Sequence, residues 1–177
     1  MSQLEAHQKT SLSKPKKEIK KGTKAKAKKP KPIPKDIRQR CLASFQKLRK
    51  LQETNDAGYV SCISCGVRMD LSVAQGGHYI PRGNRATEIE HDNVWPQCQR
   101  CNGFLNGNPI LYRRNLVKRI GEARVKRLED MAEAYRGDIE AMATLSEEDR
   151  LKVTEKKGKQ YYLEKNNEFK EILKDYE

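Results

Sequence analysis

Apolar residues recur at helical spacing in several stretches of the chain and nearly vanish from its first thirty-five positions. Ile37, Cys41, Leu42, Phe45, Leu48 and Leu51 share one face of a 3.6-residue repeat, which predicts a helix from Asp36 to about Glu53. Pro34 and Asp36 are start signals, and Asn55-Asp56-Ala57-Gly58 ends the run. Lys and Arg fill the other face, an ordinary solvated arrangement. Tyr59-Val60 then reads as a short strand, Gly76 to Ile80 as a second stopped by Pro81, and Val94-Trp95 as a third. A helix is expected from Arg100 or Cys101, interrupted around Asn106-Gly107-Asn108 by turn chemistry, resuming from Pro109 to Ile120 before Gly121. Leu128, Met131, Ala132 and Tyr135 form a further stripe ended by Gly137. Ser146 with Asp149 resembles a capping box for a last helix carrying Tyr162, Phe169, Ile172, Leu173 and Tyr176, with Gly158 as its weak point.

Charge sharpens this division. Residues 1–35 hold twelve Lys against two Glu, so +10 of the net +13 sits in that segment. With almost no large apolar side chains it cannot offset its ordering entropy, and a disordered tail is expected. Such a tail either gains affinity for a polyanion by counterion release or is simply solvated. The chain is 34% charged and 36% hydrophobic, which suits a small domain held by a metal better than one large core. No apolar run approaches the roughly 18 residues of a membrane span, and the start lacks the apolar segment of a secretory signal. A soluble, cytoplasmic protein with no membrane partner is the expectation.

Four of the five cysteines form two C-x-x-C pairs, Cys62 with Cys65 and Cys98 with Cys101, thirty-two residues apart. Two thiolates on a tight knuckle reach one Zn²⁺, and a second pair closes a tetrahedron with no place for water, so this zinc is structural. Cys41, on the apolar helix face, is a small buried residue. Between the pairs lie His78 and His91. A nuclease needs a general base to activate water and a hard cation to stabilise charge on the phosphate. His78 on its strand, facing Asn102 at the opening of the helix after Cys101, would supply such a pair. Asn93 could exchange hydrogen bonds with backbone and hold the loop that carries His78.

The order Cys-x-x-Cys, Gly-His-Tyr, Asn-Val, Cys-x-x-Cys-Asn resembles HNH endonucleases with the ββα-metal fold, in a variant ending in Asn. More closely, CISCG, GGHYIPR and QCQRCNGFLNGNPILYRRNLVKRIG resemble the phage NinG (Rap) recombination family, over roughly residues 37–135. The resemblance implies a structure-specific endonuclease acting on Holliday junctions and D-loops in a phage-infected bacterium. It matches His78 to the general base, Asn93 to the middle Asn, Asn102 to the final metal ligand, and the four Cys to structural zinc. Many HNH sites carry Asp or His just before the base, where this chain has Gly77. A catalytic Mg²⁺ or Mn²⁺ then needs Asn102 with a loop group, and Glu88, Glu90, His91 and Asp92 are the candidates.

The fold class expected is α+β: a disordered tail (1–35), an N-terminal helix (36–55), a ββα-metal zinc core (56–121) and a C-terminal helical extension (122–177). Arg82, Arg85, Arg100, Arg113, Arg114 and Lys118 cluster in sequence around the site and would position DNA phosphates without reading bases. Trp95 and Tyr79 are read as core residues. Two other classes stay open. A zinc ribbon with a basic arm would bind nucleic acid and cut nothing, and a helical adaptor would serve other phage recombination proteins. Symmetric junction cutting calls for a homodimer, yet no apolar stripe marks an interface.

Overall fold

Helix α1 (Ile37–Gln52) begins where Asp36 accepts the Gln39 backbone N–H at 2.9 Å, satisfying one orphan donor of the first turn. The computed structural model describes residues 36–176, and the expected disordered tail lies outside them. The stripe Cys41, Leu42, Phe45 and Leu48 is buried, as its periodicity requires. Burial pushes the Cys41 thiol up to about 11, so it is inert as a nucleophile.

Two separate antiparallel hairpins follow: β1 (Tyr59–Ser61) with β2 (Arg68–Asp70), and β3 (Gln75–His78) with β4 (Val94–Gln97). In the second, Gly77 faces Trp95 and His78 faces Val94. Strand β2 was not expected, because Arg68-Met69-Asp70 offers one apolar position and no readable alternation. Strand β3 stops at His78, short of Pro81, because the Asn93 side chain takes over the backbone of Ile80. After β4 the chain makes one π-helical turn (Arg100–Phe104) in place of an α-helix. Asn106 and Asn108, both at φ +48°, flank Gly107 and redirect the chain into α2 (Pro109–Ile120).

Gly121, at φ +85°, separates α2 from α3 (Glu122–Tyr135). Short α4 (Ile139–Thr144), capped by Asp138, was also not expected. The single last helix expected from Ser146 is two: α5 (Glu147–Thr154), capped by Ser146, and α6 (Lys159–Leu173). The break has a packing cause. α5 lies on α3 while α6 lies on α1, so the chain must turn between them. Lys157 anchors that turn by donating to the Arg85 carbonyl at 2.6 Å.

Strand β4 is buried along its whole length and divides the interior. Trp95 packs with Tyr112, Leu116 and Leu128 of α2 and α3. Its neighbour Val94 points the other way, among Phe45, Leu48, Tyr162 and Phe169 of α1 and α6. Strand alternation thus serves two cores at once. A third cluster joins Ala86 and Met131 to α4 and α5. The described residues form one compact α+β unit, and no described helix is long and apolar enough to cross a membrane.

α1 approaches β3 at Gly76, where a Cβ would sit 2.7 Å from Gln46 Cβ. Gly76→Ala should therefore push helix and strand apart and lower stability by about 1–3 kcal/mol, read as a reduced denaturant midpoint at unchanged m-value.

Candidate functional site

The hairpins bring the two C-x-x-C pairs together. Cys62–Cys65 form the turn of the β1–β2 hairpin, where Gly66 N–H donates to Cys62 O and Cys62 N–H donates to Val67 O. Gly66 stands at φ +76°, a conformation that favours glycine. The second pair follows β4, and Ile63 N–H donates to Pro96 O at 2.9 Å to tie one knuckle to the other's strand. Asn115 of α2 adds two bonds of 2.9 Å to the Ile63 and Ser64 carbonyls. All four sulfurs lie within 4.8 Å of one another, and Cys65 and Cys98 are 3.8 Å apart. A Zn–S bond of about 2.3 Å gives a tetrahedron edge of about 3.8 Å, so four soft donors at this spacing fit Zn²⁺ with little movement. Cys101 N–H approaches Cys98 Sγ at 3.4 Å and Asn108 Nδ2 approaches Cys101 Sγ at 3.6 Å, donors that would offset thiolate charge. Burial pushes the Cys101 thiol up to about 12, so metal uptake there displaces a proton.

Beside this centre a cavity of about 520 Å³ opens between α1 and β3. His78, Asn102, Gln75, Lys47, Lys50 and Arg82 all line it. His78 Nε2 lies 2.9 Å from the Glu88 carbonyl oxygen, and a carbonyl only accepts, so Nε2 carries the proton and Nδ1 keeps its lone pair. Nδ1 has no hydrogen-bond partner among the described residues. Burial pushes the imidazole down to about 4, against the bond to Glu88 that raises it, so the ring is neutral at pH 7. A neutral ring with a fixed tautomer and an unused lone pair is prepared to take a proton.

The groups that hold His78 are buried. Asn93 is fully buried in a 3₁₀ turn (His91–Asn93) directly before β4. Its Oδ1 accepts Ile80 N–H at 2.7 Å, and its Nδ2 donates to Ile80 O at 3.0 Å and Thr87 O at 2.8 Å. It does not line the cavity; its bonds hold the Ile80 and Thr87 backbone on either side of the loop that follows His78. Tyr112 Oη, also buried, lies 3.1 Å from Gly77 O and 3.3 Å from Asn93 O. Glu88 is fully buried, and its carboxylate receives Arg38 of α1 and the Tyr162 hydroxyl of α6.

None of the four loop groups expected to complete a cation site lines the cavity. Glu88 is held by Arg38 and Tyr162, Glu90 lies 3.2 Å from both Arg127 and Lys152, and Asp92 is gripped through both oxygens by Arg124. His91 is exposed, edge-on to Phe45 at 5.4 Å between ring centres. The loop's acids thus staple it to α1, α3 and α5. Asn102 does reach the cavity, where its Nδ2 donates to Gln75 Oε1 at 2.7 Å and its own Oδ1 stays available. Among the described residues no carboxylate lines this cavity, and the donor set does not fit a self-contained Mg²⁺ or Mn²⁺ site.

The absence of a side chain at Gly77 has a steric cause. A Cβ there would lie 1.9 Å from Gln97 Oε1. Gln97 is fully buried, and its Nε2 binds Ser64 Oγ at 2.6 Å and Gly107 O at 2.7 Å, linking the first knuckle to the turn after the second. Its Oε1 is the one buried side-chain polar atom without a hydrogen-bond partner among the described residues.

Of the five arginines expected to meet DNA, Arg82 alone lines this cavity. Arg113 is paired with Glu129 and Glu122 at 2.8 and 2.7 Å. Arg114 lies with Arg113 and Lys118 along a separate hollow on α2, Arg85 faces another beside Lys157, and Arg100 is exposed on the π-turn. Sequence reasoning missed Gln75, Lys47 and Lys50. The polar Gln before Gly76-Gly77 and the basic face of α1 were the available signals, but only the fold shows that they share a cavity.

The family model described as "Bacteriophage Lambda NinG protein" matches residues 1–159. The chain belongs to the NinG family. Protein ninG of Escherichia phage 933W is 36% identical over 83 residues, covering 45% of this chain and 39% of that protein. Protein ninG of Escherichia phage lambda is 35% identical over 92 residues, covering 49% and 43%. That of Salmonella phage P22 is 35% identical over 91 residues, with the same coverage. The aligned stretch therefore spans well under half the length of these NinG relatives. No solved structure matches the chain.

Asn93→Ala removes three buried hydrogen bonds and leaves the Ile80 and Thr87 backbone groups unpaired. It should cost about 3 kcal/mol, measured by urea denaturation of the zinc-loaded protein.

Proposed function

We propose that this NinG-family protein is an HNH-type endonuclease that hydrolyses DNA phosphodiesters at branched recombination intermediates, Holliday junctions and D-loops. The observation that carries the reading is the fixed tautomer of His78: Nε2–H bound to Glu88 O, and Nδ1 without a partner among the described residues, in the cavity that Asn102 also lines. In this reading Nδ1 takes a proton from water as the water oxygen bonds to phosphorus. The bond from phosphorus to the 3′-oxygen breaks, leaving a 5′-phosphate, and the 3′-oxygen takes a proton from solvent. Lys47, Lys50 and Arg82 around the cavity complement the charge of the phosphoanion. Dependence on Mg²⁺ or Mn²⁺ is implied by the HNH resemblance alone. Since no carboxylate of the described residues lines the cavity, such an ion would rely on oxygens the substrate brings. The preference for branched DNA, a homodimer matched to the two strands of a junction, and association with other phage recombination proteins rest on the family resemblance.

The missing carboxylate favours one second reading, a zinc-stabilised module that binds DNA without cutting it. Cleavage of labelled four-way junction, D-loop and duplex, with Mg²⁺, Mn²⁺ or neither, separates the two. Wild type should cut branched DNA, and His78→Ala should lose at least about 100-fold in rate while still binding. Tight binding by wild type with no cutting in either metal would establish the second reading instead.

The depressed pKa of His78 sets the pH profile, because only the neutral imidazole accepts a proton. For kcat/KM, which reports the free enzyme, cutting should stay flat as pH falls from 8 through 6 and decline only toward the His78 value of about 4. An acid limb centred near 6.5 would show a base with the ordinary imidazole value and contradict the buried, depressed state of His78 in that role.

A further inference from the structure

The turn that brings Asn102 to the cavity also holds Phe104 out in solvent. Of the three phenylalanines, Phe45 and Phe169 are buried, while Phe104 is 76% exposed. Leu105 and Ile110 follow it at 41% and 82%. The backbone imposes this exposure. In the π-helical turn (Arg100–Phe104) Cys101 is buried toward the knuckle and Phe104 faces away. Leu105 N–H donates to Arg100 O at 2.9 Å, Gly107 N–H to Cys101 O at 2.9 Å and Asn108 N–H to Leu105 O at 2.8 Å. Buried Gln97 pins the same segment by donating to Gly107 O at 2.7 Å. The tip is a braced projection beside the four sulfurs, and single π-turns of this kind concentrate at functional sites.

We propose that Phe104, with Leu105 next to it in sequence, is a wedge that inserts at the branch point of junction DNA and so selects branched DNA over duplex. The proposal deepens the nuclease reading and rests on it for the substrate class. The place of the tip argues for a nucleic acid as its occupant. Asn102, Asn106 and Gly107 line the cavity with His78, and Phe104 and Leu105 stand between them in the chain. A strand with one phosphate in that cavity has its adjacent nucleotides within reach of a residue two positions from Asn102. The segment also suits a polyanion, since no Asp or Glu occurs from Asn93 to Gly121 and Arg100 is exposed on the same turn. Three apolar side chains, by contrast, fall well short of the roughly 800 Å² per partner of a standard protein interface. An apolar side chain driven between base steps must unstack them, which intact duplex resists. At a branch the stacking is already interrupted, so the same insertion costs less and still buries the ring. Discrimination by this route reads structure and no sequence.

The test uses the zinc-loaded full chain carrying His78→Ala, without added divalent cation, so that nothing is cut. The fluorescent base 2-aminopurine is placed at the branch of a four-way junction, in the middle of one arm, or in a plain duplex. Its emission rises when it is unstacked, and saturating protein should raise it about threefold at the branch alone. Adding Phe104→Ala should abolish the rise and weaken junction binding about tenfold, while duplex binding stays within about twofold. Phe104→Leu, which keeps an apolar wedge, should restore both readings. A side chain that merely supported the fold would change junction and duplex binding alike. The proposal is overturned if Phe104→Ala keeps the rise and the junction preference, or if the parent itself shows no preference for junction over duplex. It is equally overturned if sedimentation shows the parent to be a dimer that Phe104→Ala dissociates, because the tip then covers a second copy. Should Phe104→Ala fail to fold, Phe104→Gln, polar and of similar reach, carries the same measurements. Absence of cleavage by wild type would sink the nuclease reading and leave this result standing, whereas an idle Phe104 with cleavage intact would do the reverse.

Discussion

The convergence of four sulfurs is the constraint on which the other elements depend. Neither hairpin, with strands of three and four residues, is stable alone in water. The first knuckle is the turn of one hairpin and the second is the exit of the other, so a metal held by both would fix two sheets that share no ladder. Gln97, Asn115 and Asn108 then act as braces around that joint, each bonding to a knuckle or its neighbouring turn. The cavity wall made by β3 and the π-turn inherits its rigidity from this arrangement, because Gln75 and Asn102 approach it from opposite sides of the same joint.

His78 is oriented by backbone, and that backbone is held by side chains from distant elements. The Glu88 carbonyl sets the tautomer, while the Glu88 carboxylate, fully buried, is locked by Arg38 and Tyr162. A buried carboxylate with its partners in place is tolerable, and one stripped of a partner is costly. Helices α1 and α6 therefore determine how the His78 ring is set, although neither carries it. Asn93 performs the equivalent task from the other end of the loop, substituting side-chain amide bonds for the strand pairing that ends at His78.

Elements with strong periodicity were legible in the sequence: α1, α2 and the apolar stripe of α3 fall close to where their spacing puts them. The knuckles were legible as well, because C-x-x-C spacing encodes local geometry directly. What was not legible was anything decided by packing across long separations. The loop acids Glu88, Glu90 and Asp92 look like metal ligands in a list of residues, and only the approach of Arg38, Arg124, Arg127 and Lys152 makes them staples. Gly77 looked like a lost ligand, whereas its lack of a side chain follows from the place taken by Gln97. The split at Gly158 was marked as a weak point, but the direction of the break depends on α3 and α1 offering two separate seats.

The pairing of α1 with α6 has a consequence for the order of assembly. Ser44 and Asn166 share a hydrogen bond across 122 residues, and Phe45 packs on Phe169. During synthesis the knuckles and their hairpins are complete long before residues 159–173 exist. Until then α1 has an uncovered apolar face, and the wall it gives the cavity is not seated. Contacts this remote in sequence form late. A nascent chain would thus carry both cysteine knuckles and an unfinished cleft, and the α1 wall of the cavity would be seated only once α6 has been made.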